Sequence, residues 1–131
     1  MPSNKKILVA DDDARNRKLL ETLLVADGHQ VVAVDSGRAA LSAATAEPPD
    51  LVLLDLMMPG MDGFEVLRRL KAAPDLQDIP VVMVTALDDS GSRARMEAAG
   101  AVGLLIKPLD RWKLKEILER VLGGGNAVGR P

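Results

Sequence analysis

Residues 51–55 read Leu-Val-Leu-Leu-Asp, four apolar side chains in a row closed by a carboxylate, with Pro59, Gly60 and Gly63 soon after. A continuous apolar run of this length is the pattern of a strand buried on both faces, as in a parallel sheet. The Pro and Gly residues mark a tight loop before the next element. A carboxylate at the end of such a strand is of no use to a core, because burying an unpaired charge is costly. It is either a turn residue or part of a site. The same construction recurs along the chain, and that recurrence is the strongest constraint on what the chain can fold into.

Ile7–Ala10 reads as a first strand, ending in Asp11-Asp12-Asp13. A helix is predicted over about 14–27, with Leu19, Leu20, Leu23 and Leu24 as one apolar face and Gly28 as its stop. Val31–Val34 is a second strand, and Asp35-Ser36-Gly37 opens a short Ala-rich helix that ends before Pro48-Pro49. After the third strand, Asp62 can cap a helix carrying Phe64, Val66, Leu67 and Leu70. Val81–Val84 is the fourth strand, ending in Thr85-Ala86, and residues 89–98 form a polar helix. Ala101–Ile106 is the fifth strand, ending in Lys107-Pro108. The last helix runs over about 110–122 and Gly123-Gly124-Gly125 ends it.

Five strands alternating with five helices imply an α/β domain with a parallel sheet and helices on both faces. Right-handed crossovers leave few topologies, and a flavodoxin-like, doubly wound (βα)5 sheet in the order 2-1-3-4-5 is the expected one. In that order strands 1 and 3 are neighbours at the topological switch point, where ligands bind beyond the carboxyl ends of the strands. The 131 residues make one domain, residues 1–122, with 123–131 read as a flexible tail or the start of a linker.

The net charge of −2 gives no electrostatic reason to expect a nucleic-acid or membrane partner. With no cysteine, disulfides and thiolate metal sites are excluded. Apolar runs fall far short of a membrane span and the N-terminus lacks an apolar signal region, so a cytoplasmic protein is expected.

In this topology strand 1 delivers Asp11 and Asp12, strand 3 Asp55, strand 4 Thr85 and strand 5 Lys107, all to one crevice. Carboxylates so close repel one another and raise each other's pKa unless a cation sits among them. An all-oxygen site with few protein ligands suits Mg²⁺, which keeps several waters and takes a phosphate as a further ligand. With the Lys107 ammonium and the Thr85 hydroxyl added, the crevice is a phosphoryl-binding arrangement. Taken singly, each residue has a structural explanation. Asp13 is a helix N-cap, one of Asp11 and Asp12 a turn residue, Thr85 a β-branched strand residue and Lys107 a surface lysine. Asp35 and Ser36, and likewise Asp62, Asp88 and Asp89, read as caps or turn residues, and His29 as a surface loop residue. Their conjunction at four strand ends is what those explanations leave over.

The segments ILVADDD, LVLLDLMMPGMDG, VVMVTA and LLIKP together closely resemble the receiver domain of two-component response regulators, over about residues 5–122. The resemblance implies Asp55 as the phosphoacceptor, Asp12 as a direct Mg²⁺ ligand and Asp11 as an assisting group. It further implies the Met57 carbonyl as another ligand, Thr85 and Lys107 as contacts to phosphoryl oxygens, and a cis Lys107–Pro108 peptide. A sensor histidine kinase or phosphotransfer protein is the implied phosphodonor. The face formed by helix 4, strand 5 and helix 5 is the implied output surface, toward an effector or a second copy in a homodimer. Met57 and Leu87, two residues beyond Asp55 and Thr85, occupy positions that in the family flank the path of the attacking water. The chain departs from the familiar pattern at Leu104, where an aromatic switch residue often stands. Trp112 falls opposite the apolar stripe of the last helix and is expected to be exposed.

Two other readings fit the residues less well. A phosphatase of the haloacid-dehalogenase type resembles Asp-x-Asp at its nucleophile, whereas here the run is Asp55-Leu56-Met57. A flavin or dinucleotide binder needs bare backbone amides after strand 1, where this chain has three acids and no glycine. The expectation is therefore a signalling module that catalyses only its own phosphorylation and dephosphorylation, not an enzyme acting on other substrates.

Overall fold

A computed structural model describes residues 4–123. The elements run β1 (Lys6–Ala10), α1 (Ala14–Ala26), β2 (Gln30–Val34), α2 (Gly37–Ala46), β3 (Leu51–Asp55), α3 (Gly63–Ala72), β4 (Val81–Thr85), α4 (Ser90–Ala98), β5 (Gly103–Ile106) and α5 (Arg111–Leu122). The strands form one parallel sheet in the order β2-β1-β3-β4-β5, the expected flavodoxin-like winding. Among the described residues no helix is long and apolar enough to cross a membrane.

Alternation along the strands sorts the core into two layers. Leu8, Ala10, Val52, Leu54, Val81 and Met83 pack beneath α2, α3 and α4. Ile7, Val9, Leu51, Leu53, Val82 and Val84 pack beneath α1 and α5, against Leu20, Leu24, Leu114, Ile117 and Leu118. Every residue of β3 and β4 is buried, which is why both read as unbroken apolar runs.

Each helix starts on a side-chain cap. Asp13, Ser36, Asp62, Asp89 and Asp110 accept backbone N–H bonds from the first turns of α1 to α5 in that order. Capping therefore accounts for Asp13, Ser36, Asp62 and Asp89, and leaves Asp11, Asp12 and Asp55 to be explained otherwise. Asp88 is exposed and pairs with Arg93.

Three local expectations are corrected. The apolar face of α1 centres on Leu20 and Leu24, so Leu19, about 120° from that centre, is 40% exposed and Leu23 is half-buried. β5 begins at Gly103, not Ala101, because the Ala101 N–H bonds the Met96 carbonyl and so belongs to the end of α4. A Cβ on Gly103 would lie 2.6 Å from Ile117 Cδ1, so glycine there lets α5 close onto the sheet. His29 is buried at 6% exposure, where its Nδ1 accepts the Lys5 N–H at 3.3 Å. Burial holds its pKa below the ordinary histidine value. Of the expected tail, only Gly123 lies within the described residues, as the C-cap of α5.

Candidate functional site

The β3–α3 loop is built to bring a helix against a strand end. Gly60 takes φ +79°, and the Gly63 N–H bonds the Leu56 carbonyl at 2.8 Å. A Cβ on Gly63 would sit 2.6 Å from the Asp55 carbonyl oxygen, so α3 can start there only on glycine. The result holds Asp55 at the carboxyl end of the central strand, with its side chain 3% exposed.

The switch point between β1 and β3 gathers the other acids. Oxygens of Asp11, Asp12 and Asp55 all lie within 4.8 Å of one another. Asp11 is 1% exposed, whereas Asp12 is exposed and faces solvent at the mouth of the cluster. Asp11 Oδ1 accepts the Asp13 N–H at 2.8 Å. Asp11 Oδ2 is the one buried side-chain polar atom among the described residues with no hydrogen-bond partner.

Lys107 enters from β5. Its N–H bonds the Thr85 carbonyl at 2.8 Å, which extends the β4–β5 pairing by one residue, and the Lys107–Pro108 peptide is cis as expected. The Nζ donates to Asp55 Oδ1 at 3.2 Å and lies 3.7 Å from Asp11 Oδ2. Thr85 is 1% exposed, and its Oγ1 accepts the Leu87 N–H at 3.0 Å. Met57 donates its N–H to Asp55 Oδ1 at 3.4 Å while its side chain is 67% exposed. All six residues singled out from the sequence thus lie at the same edge of the sheet.

The electrostatics are unbalanced. Three carboxylates face one ammonium, and a buried carboxylate oxygen without a hydrogen bond is costly. Burial, and next the charge of Asp11, push the Asp55 pKa up to about 6 against the opposing pull of Lys107. Asp13, by contrast, is held below its usual value by the amides it caps and takes no part in the cluster. A hard divalent cation resolves the imbalance, since it takes oxygen ligands and supplies the missing positive charge. The bare Asp11 Oδ2 and the all-oxygen donor set fit Mg²⁺.

One residue that sequence reasoning does not single out also touches the cluster: Arg17 donates from Nη1 to the Asp11 backbone carbonyl at 2.9 Å. Its only sequence signal is a cation one helical turn beyond a strand-end acid. Leu104, at the departed switch position, is half-buried and packs against the α2–α3–α4 layer. Trp112 is 68% exposed, as its helical position predicts.

Comparison with known proteins places these observations. A family profile described as the response regulator receiver domain matches residues 7–119. The response regulator PleD of Caulobacter vibrioides is 48% identical over 105 residues, which cover 80% of this chain and 23% of PleD. The chain thus spans under a quarter of that relative's length, and about half of the ycf27 regulators it also matches. The protein PilH of Pseudomonas aeruginosa is 34% identical over 119 residues, 91% of this chain and 98% of PilH. Among solved structures, the receiver domain of a sensor histidine kinase from P. aeruginosa has TM-score 0.85 and 30% identity. It covers 92% of this chain and 99% of that one, and carries a magnesium ion coordinated in its active-site cleft.

Proposed function

Because the chain belongs to the receiver domains of two-component response regulators, we propose that it accepts a phosphoryl group on Asp55 from a sensor histidine kinase or phosphotransfer protein. The observation that carries this reading is the position of Asp55. It is a buried carboxylate at the end of the central strand, 3.2 Å from an ammonium and beside an acid whose Oδ2 has no hydrogen-bond partner.

Above its raised pKa Asp55 is ionised and needs no general base. One of its oxygens attacks phosphorus in line, the P–N bond to the donor imidazole breaks, and that ring keeps the electron pair and takes a proton. Lys107 and the Thr85 hydroxyl hold phosphoryl oxygens through the transfer. Asp11, Asp12 and Asp55, with the Met57 carbonyl, would hold Mg²⁺, which when bound supplies positive charge to the transferring group. The product is an acyl phosphate, whose hydrolysis returns free Asp55 and inorganic phosphate. The domain catalyses only these two reactions on itself and acts in the cytoplasm. Its output passes through the α4–β5–α5 face, to an effector or a homodimer, and the exposed Trp112 on α5 supports a role there.

The test is intact-mass measurement after incubation with acetyl phosphate, with and without Mg²⁺. One added phosphoryl group, dependent on Mg²⁺ and lost in Asp12→Ala, is expected. No modification, or modification indifferent to Mg²⁺ and to Asp12, would reject the reading.

A further inference from the structure

Arg17 sits one turn inside α1, where its backbone N–H bonds the carbonyl of the capping Asp13 at 3.0 Å. Its side chain turns back toward the strand end, and Nη1 reaches the Asp11 carbonyl at 2.9 Å. Asp11 is where the chain leaves β1. Its N–H still bonds the Val34 carbonyl at 3.1 Å, but the β1–β3 register ends at Ala10 and Leu54. The Asp11 carbonyl therefore lies beyond the β1–β3 pairing, and the guanidinium gives it a partner.

That carbonyl belongs to the planar peptide joining Asp11 to Asp12, so anchoring it restrains the backbone from which both side chains project. The choice of acceptor matters as well. The Arg17 side chain bonds the backbone of one member of the acidic cluster, yet among the described residues the ion pairs made by this cluster are those of Lys107. A rigid guanidinium fork spent on a main-chain oxygen takes up no carboxylate oxygen of the cluster, and Asp11 Oδ2 is left without a hydrogen-bond partner. We infer that Arg17 is a positioning residue for cation binding, acting through the Asp11–Asp12 peptide rather than through its charge. This rests on the reading of the acidic cluster as the Mg²⁺ site.

The two roles an arginine can have here differ in sign. Removing a positive charge beside an acidic site strengthens binding of another cation. Removing a group that orients the ligands weakens it, by about tenfold at the low end of what such supporting residues contribute. Arg15 supplies a charge-matched control, since it is exposed and two residues earlier on the same helix.

The experiment is a calorimetric Mg²⁺ titration of the whole chain as wild type, Arg17→Met, Arg17→Lys and Arg15→Met, each checked by thermal melt for folding. Arg17→Met is expected to bind Mg²⁺ about tenfold more weakly. Arg17→Lys, which keeps the charge but replaces the fork with a point donor, is expected to fall between the two. Arg15→Met is expected to bind no more weakly than wild type. Arg17→Met binding as tightly as wild type, or more tightly, overturns the inference while leaving the metal site intact. Should Arg17→Met not fold, Arg17→Lys decides, and wild-type affinity in that variant overturns it. A weakening of equal size in Arg15→Met also overturns it, because the loss would then not depend on the contact to the Asp11 carbonyl. No Mg²⁺ binding by wild type removes the inference and the reading of the site together.

Discussion

Lys107 Nζ lies 3.2 Å from Asp55 Oδ1, yet Asp55 remains harder to ionise than an ordinary aspartate. The Lys107 side chain is 24% exposed and its ammonium also faces Asp11 at 3.7 Å, so it is shared between two buried acids and neutralises neither fully. With Asp12 at the mouth, three carboxylates against one ammonium leave the site two positive charges short.

That shortage has a consequence for stability. The Asp55 pKa is raised from 3.8 to about 6, so folding disfavours its ionised form. Stability contributed by the neutral form is present below the unfolded value and is lost as pH rises through the folded one. In EDTA at pH 7.5, Asp55→Asn should therefore be more stable than wild type, by on the order of 1–3 kcal/mol. The gap should narrow as pH approaches 4. Urea denaturation reads it directly, and an Asp55→Asn protein no more stable than wild type at pH 7.5 contradicts the electrostatic picture.

His29 works in the opposite direction. Its pKa is lowered by burial, so its neutral form contributes stability above the unfolded histidine value, and this is lost as pH falls below it. Because Asp55 opposes this trend, the measurement belongs in the Asp55→Asn background. There, stability should decline between pH 7 and pH 5, and His29→Gln should flatten the decline. An equally steep fall with Gln at residue 29 would show that another group is responsible.

The history of His29 also shows what the sequence could and could not reveal. Asp11, Asp55, Thr85 and Lys107 were legible because each is a polar residue closing an apolar run, and strand polarity alone sends such residues to one edge. His29 is flanked by a helix stop and a polar Gln30, a local pattern identical to that of a surface turn. Only its packing against the start of β1 buries it. Arg17 was illegible for the same reason: its acceptor is a backbone carbonyl, which leaves no mark in the residue pattern. On α1 four leucines at helical spacing defined a face, but which edge of it met the sheet was set by the docking of the helix.

The lifetime of the phosphorylated state should be set at the rim of the site. Met57 and Leu87 are 67% and 39% exposed, and neither side chain can orient a water by hydrogen bonding. Slow self-dephosphorylation is expected, and Met57→Asn with Leu87→Glu should accelerate it by roughly tenfold or more. Loss of label after removing the phosphodonor gives the rate. An unchanged rate in the double variant would show that these positions do not govern water attack.

Trp112, the only tryptophan in the chain, reports on the α5 surface without interference. At 68% exposure its emission should be red-shifted and readily quenched by acrylamide in dilute protein. Protection from quencher on phosphorylation would mark it as part of the output surface. Quenching that stays the same in the phosphorylated protein and with bound partner would remove it from that role.

Asp55 as the phosphoacceptor is tested most directly by trapping the acyl phosphate. Borohydride reduces an acyl phosphate to an alcohol and leaves free carboxylates untouched, so peptide mapping after phosphorylation and reduction identifies the modified side chain. Reduction is expected at residue 55 alone in the wild type, and nowhere in Asp55→Asn. A reduced product at any other acid in the wild type, or undiminished labelling in Asp55→Asn, would contradict the assignment.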